Sequence, residues 1–197
     1  MSDQSFVKLN ATPWQDVQAL AVVTGEGARL IEAATDAASA IRALEDAGFL
    51  TEAVKVMAYA LPKRECVWWA CMCARHTLPP DAEADLATVS SAEAWVRNQT
   101  DETRREAFDH AQRGNFATAE AWAAVAAFWS GDSMSPLGQP KTPPAPHLAG
   151  TAAIGSVTLA AVRTDPARRD DRLRRFLASG REIAAGGAGR LAPEETV

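Results

Sequence analysis

The stretch that most restricts the fold is Cys66–Ala74, inside ECVWWACMCARH (65–76): nine consecutive residues without a charge, between Pro62 and Pro79–Pro80. Nine residues make about two and a half helical turns, so such a helix is apolar on every face. A helix apolar all round is one that other elements enclose. Trp68 and Trp69 project about 100° apart and need separate neighbours. The spacing therefore predicts a central helix with both tryptophans in the core, and a cost of about 3–5 kcal/mol for Trp68→Ala.

The same stretch carries all three cysteines, Cys66, Cys71 and Cys73, and raises the alternative of a metal or a reactive thiol. Cys73 and His76 could share an ion, but Cys66 lies about 10 Å along the axis from Cys73. No C-x-x-C pair occurs, and a tetrahedral site would have to recruit His110, His147 or carboxylates. Cys73 and His76 project outward side by side from one helix, which makes a poor nucleophile–base pair. Free cysteine packs as a small apolar residue. The expectation is core, with no metal, no cofactor and no catalytic residue.

Beyond that helix, the chain is rich in alanine, has one tyrosine, and shows no window of alternating apolar and polar residues. Alanine favours helix, whereas strands favour β-branched and aromatic residues. The expected fold is all-α: an orthogonal bundle of helical hairpins, about eight to ten helices, around the Trp/Cys-rich helix. Helices are expected from Thr12 as N-cap to about Ala21, near Glu26–Ala34, from a cap at Thr35 or Asp36 to a left-handed stop at Gly48, and after a cap at Thr51. Further ones are expected over roughly 82–98 and over 101–113 ending at Gly114, then one stopping at Gly131. ALEDAGFLTEAVKVMAYAL and AFDHAQRGNFATAEAWAAVAAFW share a layout of helix, glycine, phenylalanine and helix. Both read as helical hairpins.

The expected organisation is a helical body (1–132), a proline-rich connector (133–146), a C-terminal helix pair (147–187) on that body, and a flexible, frayed tail (188–197), all as one domain. SMSPLGQPKTPPAP (133–146) holds five of the eleven prolines and reads as an extended spacer. The last helix opens on Asp165 as N-cap with Pro166, and Leu173, Phe176, Leu177, Ile183 and Ala184 form one apolar stripe.

Several functional classes are disfavoured by charge and pattern. Residues 1–160 carry 12 Lys and Arg against 19 Asp and Glu, and residues 161–197 carry 8 against 6. An acidic body does not suit nucleic acid, whose binding rests on clustered positive charge. The start MSDQSFVKLN lacks the pattern of a signal peptide, and AGTAAIGSVTLAAV (149–162) is too short to span a bilayer. A soluble, cytoplasmic chain with no membrane contact is expected. No nucleophile elbow, phosphate loop or zinc-protease motif occurs, so an enzyme is not expected.

RTDPARRDDRLRRFLASGR (163–181) packs seven arginines among three acids. Its plain reading is a solvated face with i,i+4 pairs Asp170–Arg174 and Asp171–Arg175. Its sharper reading is a patch for an acidic protein partner, made by Arg168, Arg169, Arg172, Arg174 and Arg175. Trp14 is the tryptophan expected to stay exposed as an interface anchor.

Taken together, LPKRECVWWACMCAR (61–75), AEAWV (92–96), AAFWSGDSMSP (126–136), PPAPHLAGTA (143–152) and DPARR…RFLASGREIA resemble an uncharacterised bacterial family found beside type VI secretion genes. The resemblance covers most of residues 35–185. It implies a cytosolic accessory protein of a secretion apparatus and supplies no site residues. The expected function is a non-enzymatic adaptor or chaperone-like factor holding a protein partner, a secretion component or effector. An immunity protein against a secreted toxin is the alternative, with an enzyme acting through dispersed residues behind it.

Overall fold

The computed structural model describes residues 6–194, so expectations for 1–5 and 195–197 lie outside it. Ten α-helices and two 3₁₀ turns (Val7–Asn10 and Pro166–Arg168) make up the described residues, which contain no strand. The helices are α1 (Trp14–Ala21), α2 (Glu26–Ala33), α3 (Ala37–Asp46), α4 (Leu50–Ala60) and α5 (Lys63–His76), then α6 (Glu83–Arg97), α7 (Asp101–Arg113), α8 (Ala119–Trp129), α9 (Leu148–Val162) and α10 (Arg169–Ala184). The chain is all-α.

Local chemistry explains most boundaries. Asp36 accepts the Ser39 N–H at 2.7 Å while Ser39 Oγ accepts the Asp36 N–H at 3.2 Å, a closed capping box. Thr100 and Thr118 cap α7 and α8 in the same sense. Two expected caps do not form. Pro13 takes the place expected for Thr12, and Phe49 that expected for Thr51. Leu50 is 2 % exposed, so the core draws α4 into its helix two residues early; Thr51 Oγ1 then accepts a bond from Arg169 of α10.

Gly48 stops α3 in the left-handed region (φ +81°), where its N–H reaches Glu45 O and the Phe49 N–H reaches Leu44 O. α7 differs from expectation. Its left-handed residues are Asn115 (φ +51°) and Phe116 (φ +55°), with Phe116 N–H bonded to Ala111 O, and Gly114 keeps a negative φ. Asparagine tolerates that conformation second only to glycine. Each of the two Gly-Phe junctions joins helices that pack on each other, α3 on α4 and α7 on α8.

The predicted central helix is central. α5 packs against α6, α8, α9 and α10. Trp69 is fully buried and donates Nε1–H to Phe176 O of α10 at 2.8 Å, and all three cysteines are buried and free. Trp68 departs from expectation: it is half-buried, because its face of α5 turns into a furrow beside α10. α9 packs on α4, α5 and α8, and α10 packs on α4, α5 and α9 through its expected stripe, all five residues of which are buried.

Two connections differ from the sequence reading. Residues 133–142 close into a loop rather than running extended. Met134 N–H reaches Thr142 O at 2.8 Å, and Ser133 Oγ accepts the N–H groups of Ser135 and Thr142, both at 3.1 Å. Arg105 holds Ser135 O at 2.8 Å, so the loop is pinned to α7. The tail expected to fray from residue 188 is, through residue 194, laid along the furrow between α5 and α10. Among the described residues, no helix is long and apolar enough to cross a membrane.

Candidate functional site

α5 presents Trp68 and His76, eight residues apart and so on one face, toward α10. α10 and the 3₁₀ turn before it present Arg168, Arg172, Ser179 and Glu182 on the facing side. Residues 188–194 (AGRLAPE), here called the strap, lie between. Just past the end of α10 the chain turns back at Gly186 (φ +93°), where Gly186 and Gly187 N–H close on Ile183 O and Glu182 O.

The furrow grips the strap mainly by its backbone. Trp68 Nε1–H donates to Ala188 O at 2.7 Å and Ser179 Oγ–H to Gly189 O at 2.5 Å. His76 Nδ1 lies 2.5 Å from Ala192 O, which assigns its proton to Nδ1, and the Glu194 N–H donates to His76 O at 2.7 Å. Gly189 is held in the left-handed region (φ +59°), and a Cβ there would stand 2.4 Å from Ile183 Cγ1 and 2.7 Å from Ser179 O. Only glycine passes at that point. Leu191 packs on the main core.

The strap ends in an ion cluster. Arg172 Nη2 and Nε donate to the Glu194 carboxylate at 2.6 and 3.1 Å, and Arg168 Nη2 reaches it at 2.8 Å. Arg172 is 3 % exposed. Its Nη1 is bonded to Arg163 O at 2.6 Å and Ala161 O at 3.1 Å, carbonyls that the end of α9 leaves open. The hydrogen bonds from Arg172, aided by the charges of Arg172 and Arg168, hold the Glu194 carboxyl below the ordinary glutamate range.

Two cavities, of about 520 and 780 Å³, flank this cluster and share Arg168 and Glu194. His76 lines the first and Thr77 the second. Among the described residues His76 Nε2 and Thr77 Oγ1 are buried without a hydrogen-bond partner, as is Oε1 of Glu120, whose Oε2 accepts Arg163 Nη2–H at 2.5 Å.

The arginine-rich helix thus divides by face. Arg168 and Arg172 meet in the furrow, and Arg175, bonded to Asp171 at 2.9 Å, lines its rim. Arg169 turns instead to Thr51 and Asp170, Arg181 binds Glu45 of α3, and Arg174 is exposed. The expected surface patch of Arg168, Arg169, Arg172, Arg174 and Arg175 is therefore not one surface, and Arg172 is a buried structural cation. Of the two expected i,i+4 pairs, Asp171–Arg175 is formed. Trp14 is also corrected: it is half-buried against the core with Nε1–H bonded to Ala34 O at 3.1 Å, fastening α1 to the end of α2.

No chemistry of reactive thiols gathers here. Burial pushes the Cys66 thiol up to about 12 and those of Cys71 and Cys73 well up as well. Among the described residues, no three His, Cys, Asp or Glu side chains converge as a metal site. His110 lies on α7 and His147 at the start of α9, away from the furrow.

A model described as a family of unknown function (DUF6931) matches residues 40–184. The chain belongs to that family. No curated protein and no solved structure matches the chain. The family span runs from α3 to the last residue of α10, so both furrow walls lie inside it and the strap lies beyond it.

The sequence reading missed the furrow and named only its arginines. A signal for Arg172 was present: it stands four residues before Phe176 and seven before Ser179, on the side of α10 that faces the body. For Trp68 and Glu194 no local pattern existed, because their partners lie 120 and 22 positions away in sequence.

Proposed function

We propose that this chain is a non-enzymatic protein-binding accessory factor, an adaptor or chaperone-like module, working in the bacterial cytoplasm beside a type VI secretion apparatus. The observation that supports it is the α5–α10 furrow, which already holds a non-helical segment through three main-chain carbonyls, two main-chain N–H groups and one acidic side chain. Main-chain bonds of this kind give affinity for a peptide backbone, and a charge-paired side chain adds selection. The secretion setting is carried by the resemblance of the tryptophan-rich and His-Leu motifs quoted above.

The test is affinity capture on the full-length chain in the native bacterium, beside an Arg168→Glu variant. Arg168 lies at the furrow and is partly exposed, so reversing its charge should spare the helices. The expected result is a stoichiometric secretion component or effector that cross-links at the furrow and is lost with Arg168→Glu. Recovery of no stoichiometric protein contradicts the adaptor, and capture unchanged by Arg168→Glu contradicts the furrow. Rescue of cells from a neighbouring toxin gene by co-expression would reassign the chain as an immunity protein.

A further inference from the structure

The strap satisfies the furrow incompletely. It fills the two guanidiniums with one carboxylate yet leaves His76 Nε2 and Thr77 Oγ1, both in residues more than nine-tenths buried, without partners among the described residues on either side of Glu194. Buried polar atoms without partners cost free energy, so a furrow built only for this strap would have no reason to keep them. Its hold is also narrow. Five of its bonds go to backbone atoms any peptide has, and its one backbone–backbone bond to the body is Glu194 N–H to His76 O. Only three positions of the strap are read as residues: glycine at 189 by close approach, leucine at 191 by the core, and glutamate at 194 by Arg168 and Arg172. The segment leaves α10 through a left-handed glycine and lies outside the family span that contains both walls.

We infer that residues 188–194 are a built-in stand-in for the ligand, and that the furrow takes from a partner protein an extended segment of the pattern Gly-x-apolar-x-x-Glu, which displaces the strap. This rests on the reading of the furrow as a docking site and adds both the chemistry of the occupant and a control on it. A tethered strap acts at an effective concentration on the millimolar scale, so a free segment of equal affinity binds the intact chain weakly. Opening the strap strengthens binding without altering the walls.

The test uses the full-length chain and a synthetic peptide of the sequence AGRLAPE. Trp68 reports strap occupancy through its indole N–H resonance, since that N–H is bonded to Ala188 O. Gly189→Ala unseats the strap by steric clash and Glu194→Lys by charge, giving two independent opened variants. In both, the Trp68 resonance should shift, the other helical signals should persist, and the peptide should bind roughly ten-fold or more tighter than to the unsubstituted chain. A peptide with glutamine in place of its glutamate should lose roughly ten-fold. Equal peptide affinity in intact and opened chains would overturn the inference. So would an unmoved Trp68 resonance in both variants, since the strap would not be held as described. Failure of the peptide while partner capture remains sensitive to Arg168→Glu would remove the stand-in and leave the docking site; failure of both would remove the docking site itself.

Discussion

Arg172 and Arg174 stand two positions apart in one arginine-rich run, yet their environments are opposite. Arg172 is buried, bonded to the carbonyls that end α9 and to Glu194; Arg174 faces solvent. Removing a buried cation strands its partners, so Arg172→Ala should cost about 3–5 kcal/mol. Arg174→Ala should stay within about 0.5 kcal/mol. Denaturant melts of the two variants check this, and equal costs would contradict the division by face. Glu194 gives a pH dependence of known sign. Its carboxyl binds a proton less readily when paired with Arg172 and Arg168 than in the unfolded chain. The stabilisation is therefore complete above the ordinary glutamate value and is lost as pH falls through the lower folded value. On acidification the Trp68 indole N–H should leave its bonded position in the unsubstituted chain, and Glu194→Gln should abolish the part of that transition that belongs to Glu194.

At the scale of elements, α5 was legible because composition alone decided it: an uncharged run on all faces leaves a helix nowhere to sit but inside. Its neighbours α6, α8, α9 and α10 were not legible, since periodicity names a buried face without naming what covers it. The same limit explains Trp68. Two adjacent tryptophans share a composition, and only the position of α10 separates the fully buried Trp69 from Trp68 at the furrow. Trp69→Ala should therefore cost about 3–5 kcal/mol, including the stranded Phe176 O, and Trp68→Ala should cost clearly less. The thiols of α5 should also be silent. With Cys66 raised to about 12 by burial, and Cys71 and Cys73 raised too, a thiol reagent near neutral pH should label them only as the chain unfolds. Rapid labelling of the native chain would contradict the enclosure of α5.

Over the whole molecule, pairs distant in sequence join the last helices to the first. Arg181 binds Glu45, Arg169 binds Thr51, and Arg163 binds Glu120, so three of the seven arginines in residues 163–181 fasten the end of α9 and α10 to α8, α4 and α3. The all-helical class, the hairpins and the docking of the last helix by its apolar stripe followed from local pattern. The strap did not. GGAGRLAPE has no periodicity and the composition of a loose end; what seats it is a furrow assembled from residues 7 to 120 positions away. Amide hydrogen exchange on the full-length chain tests this seat most directly. Gly189 N–H is bonded to Glu182 Oε1 at 3.1 Å and Glu194 N–H to His76 O at 2.7 Å, so both should exchange markedly slower than unstructured chain. Exchange of both at the unstructured rate, with α5 and α10 protected, would show an empty furrow and contradict the account.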